Sequence, residues 1–269
     1  MVDFKTLIYS AIEAALLAGK RVLEIYNTDF DVYIKNDASP VTNADFESNK
    51  IIKKVLAKHK FPIISEESKS VPYSERLKWN YFWLIDPIDG TKEFINKKDE
   101  FTVNIALIKK NTPVLGVVYA PMTSELYTGD SFFLSRKINV NLNDFHFSCV
   151  NNIFEKSMVL PKTIKRDNLV ILSSRSHVNQ MTLDYIDTLK KDNKNLEIVM
   201  MGSSLKTCKI AEGEADIYPR LGPTKEWDTA ASHAILKYSG GNLLDTNGCE
   251  LLYNKSNFYH SNFIASISK

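Results

Sequence analysis

Trp83-Leu-Ile-Asp86-Pro-Ile-Asp89-Gly-Thr91-Lys-Glu93 runs an apolar strand straight into two aspartates separated by two residues. Proline removes a ladder donor and glycine admits backbone angles closed to other residues, so Pro87 and Gly90 turn the chain as the strand ends. Such a turn aims both carboxylates and the carbonyls between them at one point, the donor set a hard divalent cation takes. The same string also reads as an Asx turn capping the next element. Two other acidic sites are comparably placed: Ser65-Glu66-Glu67-Ser68 follows a short apolar strand, and Trp227-Asp228-Thr229 opens a helix, whose positive end suits an acid. Taken singly they are a solvated loop and a first-turn residue. If the three sites converge they need cations, because carboxylates about 4 Å apart repel by roughly 4 kcal/mol at an effective dielectric near 20.

Outward from this stretch, apolar residues at helical spacing predict a long amphipathic helix over 3–26, with Asn27 as its stop. A second helix is predicted over 42–59. Thr42-Asn-Ala-Asp45 resembles a capping box, and Phe46, Ile52, Val55 and Leu56 form an inward stripe. Strands are predicted over 61–65, 81–86, 101–109, 113–119 and 124–128, and their short turns imply antiparallel pairing. A polar, irregular stretch covers 139–165, and the rhythm then becomes α/β. Strands over 169–172, 197–201, 215–219 and 242–245 alternate with helices over 205–212 and 227–238, stopped by Gly213 and by Gly240-Gly241. An Asn247-Gly248 turn and a final strand within 253–269 close the chain. The expected boundary lies near residue 150, giving parts 1–150 and 151–269, although no proline- or glycine-rich linker marks it.

The 269-residue chain is 44% hydrophobic and 25% charged, which excludes a disordered tail, a collagen-like fibre and a disulfide-stapled miniprotein. With 34 basic residues against 32 acidic ones the net charge is +2, so no uniformly basic surface exists to hold a nucleic acid polymer by counterion release. Cys149, Cys208 and Cys249 form no CxxC pair, so they are expected to be buried thiols in a reducing compartment. The apolar stretch 7–23 is broken by Glu13, Lys20 and Arg21 and does not make a membrane span, and the expected location is cytoplasmic.

Glu66-Glu67, Asp86-Pro-Ile-Asp89-Gly-Thr91 and Trp227-Asp228-Thr-Ala-Ala resemble, in order and spacing, the signatures of the inositol monophosphatase superfamily of magnesium-dependent, lithium-sensitive phosphatases. The resemblance runs over nearly the whole chain. Further strings narrow it to one branch: Ser39-Pro-Val-Thr-Asn-Ala-Asp45, Asp89-Gly-Thr-Lys-Glu-Phe94, Ser174-Arg-Ser-His177, Gly202-Ser-Ser-Leu-Lys206 and Tyr218-Pro-Arg220-Leu-Gly-Pro-Thr. They look like the CysQ-type 3'(2'),5'-bisphosphate nucleotidases, which convert adenosine 3',5'-bisphosphate to AMP. The resemblance implies a layered αβαβα sugar-phosphatase fold of the α/β (α+β) class. The first part would supply most metal ligands, and the second the substrate contacts and Asp228. Glu66, Asp86, Asp89, Asp228 and the Ile88 carbonyl would hold two or three Mg²⁺ around the leaving phosphate, Asp45 and Thr91 would activate the attacking water, and Gly90 and Thr91 would contact the substrate. In the second part His177, Ser203, Lys206 and Arg220, with Asp228, would contact the nucleotide. The family also implies lithium inhibition, the 3'-phospho adenylyl sulfate as a further substrate, and peripheral membrane association as an option. A monomer is favoured.

Each of these residues has a plainer reading. Gly202-Ser203-Ser204 opens a helix after a strand and can cradle an anion on its backbone N–H groups, or be an ordinary N-cap. His177 reads as a loop residue that meets the base or ribose, or only solvent. Arg220 can take a phosphate bidentately or pair with an acid such as Glu226. Trp79, Tyr81, Phe82 and Trp83 are expected in the core, and Lys53-Lys54 and Lys190-Lys191 on solvated helix faces. The alternatives in function are an inositol or sugar phosphatase of the same superfamily, and a nucleotide sensor without turnover.

Overall fold

The computed structural model describes backbone over residues 2–143, 147–162 and 166–267, and side chains there except at 147–149 and 151. Helix α1 (Phe4–Tyr26) is capped by Asp3 and ended by Asn27. A hairpin of β1 (Val32–Ile34) and β2 (Pro40–Thr42), absent from the sequence reading, leads to α2 (Asn43–Leu56) and a 3-10 turn at Ala57–His59. Thr42 and Asp45 form the expected capping box at α2.

β3 (Ile63–Ser65), a short helix α3 (Tyr73–Arg76), β4 (Tyr81–Asp89) and a second short helix α4 (Thr91–Ile95) come next. β5 (Thr102–Lys109), β6 (Thr112–Ala120), β7 (Glu125–Asp130), β8 (Leu134–Asn139) and β9 (Met158–Val159) complete a seven-stranded sheet in sequential order, antiparallel except for the parallel pair β3 and β4. Along β4, Trp83 and Ile85 face the α1/α2 core while Phe82 and Leu84 face the opposite core. Burial on both faces explains why these strands read as unbroken apolar runs.

The second half contains β10 (Leu169–Ser174), α5 (Gln180–Asp192), β11 (Leu196–Met201), α6 (Leu205–Glu212), β12 (Ile217–Arg220), β13 (Thr224–Lys225), α7 (Glu226–Tyr238), β14 (Asn242–Asp245), β15 (Tyr259–His260) and β16 (Phe263–Ser266). Its five-stranded sheet has the order β11-β10-β12-β16-β14, and β13 pairs with β15. The layers are therefore α1/α2, the large sheet, α6/α7, the smaller sheet, and α5. α7 lies directly on β6 and β7: a Cβ on Gly116 would meet the Ala231 carbonyl at 2.1 Å, and one on Gly129 the Ile235 Cα at 2.6 Å. Only glycine permits that approach.

Several expectations need correction. Phe46 is 45% exposed and rests on Tyr33, because it lies on the hairpin side of α2 rather than on the stripe made by Ile52 and Leu56. Cys208 is a buried free thiol but Cys249 is exposed beside the Gly248 turn, and the Cys149 side chain lies outside the described residues. The stretch 139–165 contains a 3-10 helix (Phe147–Lys156) and β9, so the first sheet runs to Val159 and the second begins at Leu169. Of the aromatic group, Phe82 and Trp83 are fully buried and Trp79 and Tyr81 pack on the cores, as expected. No helix among the described residues is long and apolar enough to cross a membrane.

A buried carboxylate ties the halves together. Glu212, at the end of α6, accepts hydrogen bonds from Tyr127 at 2.9 Å, Lys137 at 2.8 Å and Lys209 at 3.1 Å, and from Lys162. Burial alone would raise its pKa, but these lysine bonds and charges outweigh it and hold it down to about 2. We expect Glu212→Gln to lose about 1.5–3 kcal/mol in denaturant unfolding at pH 7, the worth of hydrogen bonds to a charged group, since it removes the buried carboxylate shared by Lys137, Lys162 and Lys209 and leaves them only Glu125 and Glu214. Because the folded pKa lies below the unfolded one, the wild type's advantage is complete above pH about 4.5 and shrinks as pH falls toward 2. A gap that does not narrow in acid would refute the charge origin.

Candidate active site

The parallel register of β3 with β4 sets Ser65 opposite Ile85, so Glu66, the next residue, arrives beside Asp86. Register with β5 slips between Asp86 and Asp89, where Pro87 cannot donate to the ladder, and the resulting bulge turns both aspartates inward. The Ile88 N–H donates to Asp86 Oδ1 at 3.1 Å, and Ser48 donates to the Pro87 carbonyl at 2.8 Å. Asp228 comes from the first turn of α7, its Oδ2 held at 3.1 Å by the Lys225 N–H. Oxygens of Glu66, Asp86 and Asp228 lie within 4.8 Å of one another.

Asp89 stands beside this group and faces the other half: its Oδ2 accepts the Ser204 N–H at 2.6 Å and Asn104 Nδ2 at 3.4 Å. Thr91 Oγ1 lies 3.2 Å from Asp45 Oδ1 and 3.2 Å from the Ile88 carbonyl. Asp45 uses its other oxygen for the Thr42 N–H at 2.8 Å and the Thr42 hydroxyl at 2.6 Å. Asp45 and Asp228 thus share one device: each caps its own helix with one oxygen.

A cavity of about 330 Å³ collects Glu66, Asp86, Ile88, Asp89, Gly90, Thr91 and Asp228 on one side and His177, Ser203, Lys206 and Arg220 on the other. Among the predicted residues Asp45 alone is not in the lining, and it reaches the cavity through Thr91. The buried Lys206 ammonium donates to the carbonyls of Met201 (3.2 Å) and Ser203 (2.6 Å). Arg220 donates to Thr224 Oγ1 (2.7 Å) and to the carbonyls of His177 (3.3 Å) and Pro223 (3.1 Å). Among the described residues neither cation has a carboxylate within ion-pair distance. Glu226, the acid weighed as a partner of Arg220, instead accepts the N–H groups of Asn254 and Lys255.

The anion cradle expected at the start of α6 is largely taken. The Gly202 N–H donates to Glu100 at 2.8 Å and the Ser204 N–H to Asp89, so two of the three amides already serve protein carboxylates. Ser203 keeps a left-handed backbone, φ 47°, at the cavity wall.

Charge is strongly perturbed here. Burial raises Asp86 and Asp228 well above the carboxylate range, and their acidic neighbours raise them further. Burial lifts Asp89 to about 6, against the opposing pull of Lys206 and the Ser204 N–H, and it also raises Asp45. Lys206 falls to about 8 through burial, and His177 is lowered by burial and by Arg220. Burial also lifts Glu67 to about 7 although Lys35 is bonded to it.

Lys35, which forms an ion pair with Glu66 at 2.9 Å and also contacts Glu67, was missed by sequence reasoning, as were Glu93, bonded to Ser176 at 2.6 Å, and Glu100, bonded to Arg175 at 2.7 Å. Lys35 sits in an aperiodic hairpin and Glu100 in a loop, so only the tertiary fold reveals their partners. Glu93 closes the decisive stretch itself, two residues after Thr91, and adjacency to the motif was the signal available for it.

Three hard oxygen donors within 4.8 Å of one another, two of which, Asp86 and Asp228, burial and neighbouring carboxylates drive toward protonation, fit a divalent cation. In chelator at pH 7, Asp86→Asn should therefore be more stable than the wild type, by up to the roughly 4 kcal/mol of one close repulsion. The raised folded pKa of Asp89 means that the folded state holds the extra proton between pH about 4 and 6, so this group costs the chelated protein stability as pH rises through that window. Denaturant titrations across pH check both, and an Asp86→Asn protein no more stable than wild type would refute the repulsion.

A model described as the inositol monophosphatase family matches residues 3–267. The 3'(2'),5'-bisphosphate nucleotidase CysQ of Buchnera aphidicola is 39% identical over 94% of this chain and 91% of its own, and the protein of the same name from Escherichia coli K12 is 36% identical over 93% and 95%. The crystal structure of CysQ from Bacteroides thetaiotaomicron, a bacterial member of the inositol monophosphatase family, superposes with TM-score 0.91 at 39% identity, covering 99% of this chain and 98% of its own. The suhB protein of Bartonella henselae, 24% identical with TM-score 0.72 over 96% and 92%, shares the fold.

Proposed function

The chain belongs to the inositol monophosphatase family, and we propose that it is a metal-dependent phosphatase that hydrolyses adenosine 3',5'-bisphosphate to AMP and phosphate. One observation carries the substrate reading: a single cavity sets the Glu66, Asp86 and Asp228 carboxylates across from Lys206 and Arg220, two cations with no carboxylate partner among the described residues. The acidic side suits metals and the phosphate to be removed, and the basic side suits a second phosphate. An ester with one phosphate would leave those cations unused.

Glu66, Asp86, Asp89, Asp228 and the Ile88 carbonyl are the groups that would hold two or three Mg²⁺. Mg²⁺ bound by these groups would supply neutralisation of phosphate charge and a lowered pKa for a bound water. Thr91 has a single hydroxyl proton, which it donates to Asp45 or to the Ile88 carbonyl; its lone pairs then accept a proton-bearing edge of the attacking water and fix its orientation. Asp45, anchored by Thr42 on its other oxygen, holds that hydroxyl in place. Lys206 is desolvated and depressed to about 8, so a phosphate beside it draws it back to full charge. Arg220 offers its planar guanidinium to the second phosphate, and His177, whose carbonyl it already holds, lies where the ribose or base follows. The free thiols Cys208 and Cys249 suit a reducing, cytoplasmic setting.

Phosphate release from adenosine 3',5'-bisphosphate, its 3'-phospho adenylyl sulfate, inositol 1-phosphate and fructose 1,6-bisphosphate, with and without Mg²⁺ and Li⁺, tests this reading. The bisphosphate nucleotide should be preferred, Mg²⁺ required and Li⁺ inhibitory, and a preference for the inositol ester would overturn the substrate assignment. Asp89→Asn should cut Mg²⁺-dependent turnover on the order of 10²–10³-fold, as loss of a transition-state contact does, while its circular dichroism stays native. Arg220→Ala should raise KM for the bisphosphate about 10- to 100-fold, the worth of charge-assisted hydrogen bonds, and leave KM for a monophosphate ester nearly unchanged. An equal rise for both would remove Arg220 from the second-phosphate site.

A further inference from the structure

Two charged side chains outside the cavity grip one turn from opposite sides. Arg76, at the end of α3, and Glu226, the first residue of α7, are 1% and 0% exposed. Arg76 places all five of its N–H bonds on oxygens: Nε on the Val71 carbonyl at 3.0 Å, Nη1 on Asn254 Oδ1 at 2.7 Å and the Lys255 carbonyl at 3.2 Å, and Nη2 on the carbonyls of Lys255 at 3.1 Å and Ser256 at 3.3 Å. Its guanidinium carbon lies 3.9 Å from the centre of the Phe258 ring. Glu226 takes the other polarity of the same turn, the Asn254 N–H at 2.7 Å on one oxygen and the Lys255 N–H at 2.8 Å on the other. The turn carries Asn254 at φ 65°, a left-handed backbone that a non-glycine residue adopts at a cost.

Burying a guanidinium and a carboxylate costs several kcal/mol each unless every lone pair and proton is matched, so both are committed to one turn geometry. That geometry propagates to the acidic cluster. The Glu226 N–H donates to the Phe258 carbonyl at 2.9 Å, and the Phe258 ring packs on Trp227 with centroids 5.5 Å apart. β15 leaves this turn to pair with β13, whose Lys225 gives its N–H to Asp228. Asp228 is the one carboxylate of the Glu66, Asp86 and Asp228 group that comes from the second half of the chain.

We propose that Arg76 and Glu226 are positioning residues for Asp228: by fixing the 254–256 turn they set the start of α7 and so bring the Asp228 carboxylate to the metal-holding group. This rests on the metal-dependent reading above, with Arg76 as the first half's hold on a ligand supplied by the second. Arginine is required for its shape, because a lysine ammonium cannot span Val71, Asn254, Lys255 and Ser256 from one nitrogen.

Mn²⁺ is the probe, its binding to the full-length protein followed by electron paramagnetic resonance of the free ion. Wild type should bind, and Glu226→Gln and Arg76→Lys should each weaken binding about tenfold or more, the range for residues that orient metal ligands. Because both act through one turn, the double variant should bind no more weakly than the worse single one. Glu212→Gln, destabilised at a distant network, should bind Mn²⁺ as the wild type does, which separates lost positioning from lost stability. If Glu226→Gln does not fold, Asn254→Gly, which keeps the left-handed turn but removes an Arg76 acceptor, should weaken binding in the same direction. Unchanged Mn²⁺ affinity in Arg76→Lys and in Asn254→Gly, or additive losses in the double variant, would overturn this proposal alone; a wild type that binds no Mn²⁺ would overturn the metal reading and this proposal together.

Discussion

Oxygens of Glu66, Asp86 and Asp228 stand within 4.8 Å of one another, and at about 4 Å like charges still repel by roughly 4 kcal/mol at an effective dielectric near 20. Surrounding residues hold that crowding in place. Parallel pairing of β3 with β4 delivers Glu66, the bulge around Pro87 delivers Asp86, and the first turn of α7 delivers Asp228. α7 reaches the site because Gly116 and Gly129 let its backbone lie on the large sheet. The small residues Ala230, Ala231 and Ala234 on that helix, and the glycines beneath it, are therefore part of the site's construction even though they line none of it.

Local sequence carried the parts of this arrangement that are local. The stretch from Trp83 to Glu93 announces its own strand, bulge and turn, because proline and glycine act on the backbone within one or two residues. Thr42 and Asp45 form a capping box visible at a spacing of three, and Gly213 stops α6 with φ 86°. Partner choice across the chain was not legible. Gly202-Ser203-Ser204 has the residues of an anion cradle, yet the fold brings Glu100 and Asp89 from the other half to occupy two of its amides. Phe46 follows the helical period but faces Tyr33 of β1, an exposed strand with no apolar alternation to betray it. In each case the deciding contact joins residues distant in sequence, and no periodicity encodes it.

Two buried acidic centres in this molecule respond oppositely to the same burial. At Glu212 burial is opposed by Lys137, Lys162, Lys209 and Tyr127, and the carboxylate ends below its ordinary range. At Asp86 and Asp228 burial is reinforced by neighbouring carboxylates, and both end far above it. The first centre is satisfied by the protein alone and contributes to cohesion between the sheets. Among the described residues the second has an ion pair only at its edge, where Lys35 meets Glu66 and Glu67, and Asp86 and Asp228 have none. Unmatched buried charge is what distinguishes a binding site from a structural ion network.

The basic wall makes the same argument with the sign reversed. Lys206 is buried and depressed to about 8, and its hydrogen bonds go to carbonyls, which carry no net charge. Arg220 is likewise spent on a hydroxyl and carbonyls. Pairing either with a protein carboxylate would have been cheaper for folding, and 32 acidic residues are available for it. Instead the acids gather across the cavity and raise Lys206 only at a distance, through Asp89, Glu93 and Glu100. A net charge of +2 thus conceals a cleft whose two walls are each incomplete, and a ligand that is anionic at both ends, with cations at one of them, completes both at once.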